Sequence, residues 1–172
     1  MPLVAMGDLA FLRHPQASDA REFLFLMKAS REIHRPWVYP PATEEAFARY
    51  VEQSQSDRFL GCLICHSRSG EIFGVANLSE IVRGGFQNAY LGFYASYNRS
   101  GKGRIREGVA LLVNHAFRKL KLHRVEANVQ PENQRSLAFI QSLLTKSYGQ
   151  LIGQIGLLLL QACVLGFKFL LA

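Results

Sequence analysis

"YLGFYASYNRSGKGRIREGVALLVNHAF", Tyr90 to Phe117, is the stretch on which the reading of this chain turns. Its first residues read as a strand, "NRSGKG" is a basic loop with two glycines, and from Ile105 the apolar positions Ile105, Val109, Leu112, Ala116 and Leu120 keep the spacing of an amphipathic helix. A loop that carries a strand into a helix N-terminus collects unpaired backbone N–H groups at the positive end of the helix dipole. That is a place for an anion, and a phosphate fits it best. Gly101 and Gly103 allow close backbone approach or positive φ, while Arg99, Lys102 and Arg104 add charge. On these residues alone a solvated surface turn is an equal reading. Lys102 is followed by Gly103 rather than by Ser or Thr, so there is no P-loop, and the third glycine of a dinucleotide fingerprint is absent.

Moving toward the N-terminus, "NAYLGFYAS" follows a turn at Gly84-Gly85, and "RFLGCLICHS" with "EIFGVANLSEIV" reads as a hairpin closed by Ser69-Gly70. Thr43 opens a helix in "TEEAFARYVEQ", and Ser18 opens one in "ASDAREFLFLMKASREIH" that must stop before Pro36. A first strand is expected at Leu9–Arg13. Toward the C-terminus come a strand in "HRVEANV" and a helix in "NQRSLAFIQSLL" after Pro131. The order β-α-α, β-β-β, α-β-α predicts an α/β fold with a mixed, mostly antiparallel central sheet flanked by helices.

The 172 residues suit one main domain. A formal charge of +7 would serve nucleic acid, an anionic membrane or an anionic small ligand, but the arginines are scattered singly outside Arg99–Arg106. No basic face rich in exposed aromatics is visible, so specific nucleic-acid binding is not expected. Cys62 and Cys65 lie three apart in a strand and should point to opposite faces, which argues against a metal or redox pair; no metal is expected. Three cysteines without a signal peptide suggest a reducing cytoplasm.

With "PENQRS" added, the segment from about Leu9 to Leu143 resembles the GNAT superfamily of N-acetyltransferases, most strongly from Tyr90 onward. Within it the chain looks like the branch that includes ribosomal-protein-alanine N-acetyltransferases. The family loop is (Gln/Arg)-x-x-Gly-x-(Gly/Ala); Asn98 departs from the first place, and Gly101 and Gly103 match the others. The resemblance implies that Arg99, Ser100, Gly101, Lys102, Gly103 and Arg104 hold the pyrophosphate of acetyl-CoA. It implies that Asn133 and Ser136 contact the same co-substrate, the alternative for Asn133 being a helix cap. It also places a carbonyl-polarising main-chain N–H at Phe93, Tyr94 or Ala95.

Catalytic side chains are less legible. Glu80 in "NLSEIV" is the candidate base, with a surface pairing to Arg83 or Arg124 as the alternative. Glu107 is a second candidate, expected to point away from the phosphate. His34, Trp37 and Tyr39 are candidates for the acceptor entrance. The general-acid tyrosine common in the superfamily falls at Ile140, so water or the substrate would supply that proton.

After Leu143 the resemblance breaks. The family continues with Gly-Phe and closing strands, whereas residues 144–172 form an atypical apolar segment, which accounts for a mean hydropathy of +0.05. Three readings stand: a changed coding frame or exon structure, a divergent folded replacement in which the Leu-Gly-Phe of "VLGFKFLLA" restores strand pairing, or a membrane anchor. The expectation is thus a GNAT-like domain over 1–143, a monomer or homodimer. It would move acetyl from acetyl-CoA to an amine, foremost a protein N-terminus. A small-molecule amine or an inactive acetyl-CoA-binding remnant are the alternatives.

Overall fold

The computed structural model describes residues 3–97, 103–146, 161–163 and 166–170. Residues 98–102, which hold most of the glycine loop, lie outside the described residues.

The chain enters through two short strands, β1 (Leu3–Met6) and β2 (Ala10–Arg13). Helices α1 (Ala20–Ala29), α2 (Arg31–His34) and α3 (Glu44–Gln53) follow. Thr43 caps α3, its hydroxyl accepting from the Ala46 amide at 3.2 Å. A two-residue strand β3 (Gln55–Ser56) leads into a meander of β4 (Phe59–His66), β5 (Ile72–Val82) and β6 (Asn88–Ala95). Gly70 and Gly84 take φ of +75° and +72° at the two turns, as the sequence signals required. Then come α4 (Arg104–Arg118), β7 (Arg124–Ala127), α5 (Gln134–Lys146), β8 (Gln161–Cys163) and β9 (Gly166–Leu170).

The sheet runs β1-β2-β4-β5-β6-β7-β9-β8, with β3 paired to β4 off that path. Every pairing among the described strands is antiparallel except β6 with β7, which are parallel. The parallel pair is joined by α4, the crossover a parallel connection needs.

Two apolar clusters cover the two faces. On one, Ile105, Val109, Leu112, Val113 and Ala116 of α4 meet Leu12, Ile64, Leu78 and Val125, together with Ile140 and Leu143 of α5. On the other, Phe23, Leu26 and Met27 of α1 and Phe47 and Tyr50 of α3 meet Leu63, Cys65, Ile72 and Val75. Cys62 belongs to the first cluster and Cys65 to the second, as strand alternation requires. Burial pushes their thiols up to about 12 and about 11, so both are inert.

One expectation needs amending. The first strand is preceded by β1, a four-residue segment too short to show a period. The tail carries strands: β9 pairs antiparallel with β7 in the register Arg124↔Leu170, Val125↔Phe169, Glu126↔Lys168 and Ala127↔Phe167. Of the Gly166-Phe167 pair, Phe167 stands opposite Ala127 in that register and Gly166 opposite Cys163 of β8. Among the described residues no helix is long and apolar enough to cross a membrane.

Candidate active site

The parallel pairing of β6 with β7 stops early. Its register is Asn88↔Arg124, Ala89↔Val125 and Tyr90↔Glu126, after which β6 continues to Ala95 while β7 ends at Ala127. The strands part there, and a cleft of about 510 Å3 opens between them. Its floor is Leu91–Ala95; Asn128, Val129, Gln130, Asn133, Ser136 and Phe139 form one wall; Ile33, His34, Trp37 and Val38 form the other; Gly103, Ile105 and Arg106 close the end at α4.

The register also fixes which backbone groups face the cleft. Ser96 donates its N–H to the Phe73 carbonyl at 2.8 Å, and β5 pairs Gly74↔Ala95, Val75↔Tyr94 and Ala76↔Phe93. Residues opposite one another in an antiparallel ladder alternate between exchanging both hydrogen bonds and exchanging none. Tyr94 therefore turns its N–H and C=O to β5, and Phe93 and Ala95 turn theirs away, to the side that β7 has left. Of the three candidate donors, geometry favours Phe93 and Ala95 over Tyr94. The Tyr94 ring lies edge-on to His34, with centroids 5.4 Å apart, and burial holds its phenol well above the usual value, so it stays protonated.

At the α4 end, Gly103 is the N-cap, with φ +81°. A Cβ there would find its nearest neighbour, Leu9 Cδ1, at 3.8 Å, so glycine is demanded by the left-handed backbone rather than by crowding. The Arg104 guanidinium stacks over the Phe73 ring at 4.7 Å. Arg99, Ser100, Gly101 and Lys102 lie outside the described residues. Arg106, not singled out from sequence, lines the cleft; one of its terminal nitrogens donates to Ser142 Oγ at 3.1 Å, and its buried Nε has no partner among the described residues.

Asn133 does two things. Its Oδ1 accepts from the Ser136 amide at 3.1 Å, the cap weighed from sequence, and the residue also lines the cleft. With Oδ1 occupied, what it offers a ligand is the Nδ2 pair of donors. Ser136 lies beside it, and Phe93 stacks on Phe139 at 4.7 Å to make an apolar slot. Asn128 and Phe139 were also missed; the sequence read a strand through Val129 and a core-facing helix, and neither pattern reveals where two strands separate.

Neither carboxylate expected to act as base is in the cleft. Glu80 occupies an irregularity of β5 where pairing with β6 shifts between Ser79 and Val82, and its φ is +48°. That conformation turns it to solvent, where it pairs with Arg58 at 2.5 Å. Arg83 bonds the Leu120 carbonyl instead, and Arg124 pairs with Glu126. Glu107 is not among the residues that line the cleft and accepts from the amides of Asp8 (3.0 Å), Leu9 (2.7 Å) and Ala10 (2.6 Å), closing the β1–β2 turn. His34 and Trp37 line the cleft, while Tyr39 is 69% exposed, under the Arg35 guanidinium. Ile140 is fully buried, so the place of the superfamily's acid belongs to the core.

Comparison with known proteins places this geometry. Residues 10–143 match the model described as an acetyltransferase (GNAT) domain. The chain is 29% identical over 143 residues to a probable N-acetyltransferase, YjcK, of Bacillus subtilis, covering 78% of this chain and 79% of that one. It is 37% identical over 90 residues to the [ribosomal protein uS5]-alanine N-acetyltransferase of Escherichia coli, covering 49% of this chain and 46% of that one. Among solved structures, Mycobacterium smegmatis RimJ in complex with CoA-disulfide superposes with a TM-score of 0.72 at 20% identity, over 98% of this chain and 84% of that one.

Proposed function

This chain belongs to the GNAT acetyltransferase family, and from that premise we propose that it acetylates the α-amine of a protein or peptide N-terminus. The co-substrate is acetyl-CoA, and the chain is an acyltransferase. The residues present fit that molecule. Gly103 opens a helix N-terminus toward the cleft, Arg106 holds a buried partnerless Nε there, and Phe93 with Phe139 makes an apolar slot for an aliphatic arm. In this reading the loop from Arg99 to Arg104 and the Asn133 amide hold the co-substrate.

Acetyl-CoA supplies an acetyl thioester; the chain must orient it, polarise its carbonyl and admit a neutral amine. The amides of Phe93 and Ala95 both face the cleft, and one of them would be the donor to such a carbonyl. In the transfer one C–N bond forms, one C–S bond breaks, and the proton lost by the amine balances the thiolate released.

The observation that carries the choice of acceptor is the composition of the cleft walls: among the described residues they include Arg106 and Arg135 and no aspartate or glutamate. Without a carboxylate base the amine must arrive largely neutral. An α-amine ionises near 7.7–8.0 and a lysine-type amine near 10.4, so at pH 7.5 the neutral fraction differs by about two orders of magnitude. Two cations in the walls also oppose a polyamine. The relative named a [ribosomal protein uS5]-alanine N-acetyltransferase supports the same choice.

The test begins with calorimetric titration of the full chain with acetyl-CoA in low and moderate salt. About one equivalent should bind in both. Next, a peptide with N-terminal alanine and an internal lysine, and spermine, are offered as acceptors and the products weighed. Acetylation confined to the peptide α-amine is expected. Acetyl-lysine or faster turnover of spermine would shift the assignment to small or side-chain amines, and a folded sample that binds no acetyl-CoA would mark an inactive remnant.

A further inference from the structure

The parting of β6 and β7 creates a difficulty that the fold solves from the other side. Among the described residues no strand lies beside the cleft edge of β6 past Tyr90, so the backbone groups of Phe93 and Ala95 lack ladder partners there. A strand end bound on one edge only is free to twist, and a donor meant for a developing oxyanion must not be. His34, at the end of α2, reaches across and donates its Nε2–H to the Ala95 carbonyl at 2.8 Å. The same peptide unit is held on its opposite edge by the Ser96 N–H bond to Phe73. It is therefore clamped from both sides.

The ring is set accordingly. A carbonyl brings no proton, so the imidazole must carry its own on Nε2, leaving Nδ1 as the lone-pair atom. Nδ1 is buried and has no partner among the described residues, and the whole residue is 3% exposed, so an incoming amine cannot reach it. Burial lowers the pKa of the ring and keeps it neutral. Its edge-on contact with Tyr94 holds it against the residue next to the clamped carbonyl.

We infer that His34 is a positioning residue: by fixing the Ala95 peptide at the unpaired end of β6, it holds the donor amide of that end, Phe93 or Ala95, toward the carbonyl that is attacked. The inference rests on acetyl-CoA occupying the cleft, as the proposed function has it. His34 touches none of the reacting atoms; it acts through the strand.

The deciding measurement is isotope-edited infrared spectroscopy of acetyl-CoA carrying carbon-13 at the acetyl carbonyl, bound to the full chain. In the native protein the carbonyl band should lie below its position in water, because a fixed amide polarises it. His34→Phe, which keeps the ring volume and loses the donor, should move the band back toward the free value. With an N-terminal-alanine peptide it should lower kcat about 10-fold or more, short of the about 10²–10³ for an oxyanion donor removed outright. KM for acetyl-CoA should stay within about twofold. His34→Gln, whose amide can donate along the same line, should recover most of the shift and of kcat. A folded His34→Phe protein with native band and native kcat overturns the role, and native protein that binds no acetyl-CoA overturns the proposed function instead. Should His34→Phe not fold, nitrogen-15 NMR of the native protein still decides, because an imidazole protonated on Nδ1 rather than Nε2 contradicts the clamp.

Discussion

Glu107 and Asn133 stand near the starts of two helices, and both resembled chemistry in the sequence, yet the structure divides them. Glu107 spends its carboxylate on three amides of the β1–β2 turn. Glu107→Ala strands those donors, and with charge-assisted bonds worth about 1.5–3 kcal/mol each in isolation but shared here, a net loss of about 2–4 kcal/mol is expected. Calorimetric melting should show it as a fall of about 5–15 °C, while kcat in the remaining folded protein drops less than tenfold. A base would cost about 10²–10⁴ in rate instead, so a large kcat loss at unchanged Tm would restore Glu107 as catalytic. Asn133 can be dissected further because its two side-chain atoms have separate duties. Asn133→Asp keeps the oxygen that caps the Ser136 amide and removes the Nδ2 donors. It should leave Tm within about 1 °C and weaken acetyl-CoA binding, whereas Asn133→Ala should also lose about 1 kcal/mol of stability. Equal acetyl-CoA affinity in native and Asp proteins would reduce Asn133 to a cap.

At the scale of elements, α4 is the piece that carries both core and site, and its seat on the sheet depends on one glycine. A Cβ at Gly108 would lie 2.5 Å from Ile64 Cγ2, and Ile64 is fully buried in β4 with no space to turn into. Helix propensity alone predicts that Gly108→Ala stabilises by about 1 kcal/mol; overpacking costs about 1–3 kcal/mol, and the clash should win. Chemical denaturation is expected to show a net loss of about 1–2 kcal/mol, and a gain would mean that α4 can lift off β4 without penalty. The helix itself was plain in the sequence, since Ile105, Val109, Leu112 and Ala116 declare a period, and so was the loop before it. What was not legible is whatever depends on separation or irregularity. Nothing in "HRVEANV" says that β7 stops pairing at Glu126, though that opens the cleft. Nothing in "NLSEIV" says that Glu80 sits at an irregularity with positive φ, facing Arg58. Periodicity reports which face a residue belongs to; it does not report where a ladder ends, which is set by partners far along the chain. The same limit applied to the tail, where residue type suggested several fates and the partner, β7, selected strand pairing for β9.

For the molecule as a whole, the histidines link stability to pH. His14, His34 and His115 are each held below the ordinary imidazole value, chiefly by burial, with the neighbouring His14 and Lys119 charges adding to the effect at His115. In the unfolded chain the same rings ionise near 6.5. Above that value both states carry them neutral, and their contribution to stability is whole. As pH falls through 6.5 the unfolded chain takes up protons that the native protein refuses, so the unfolding free energy falls until the lower folded values are reached. The chain is already positive, at +7 with histidines neutral, so each added proton also works against a compact state. Ordinary carboxylates remain ionised above about pH 5, which leaves the window from 7 to 5 to the imidazoles. Melting temperature followed by circular dichroism should be level between pH 8 and 7 and decline progressively below about 6.5. His34→Gln, which removes one of the three rings whose pKa burial lowers while keeping a donor for Ala95, should make that decline shallower without altering the plateau by more than a few degrees. A melting temperature that holds level down to pH 5 would mean that these rings accept protons in place, and the clamp on β6 would then have to be held by an imidazolium.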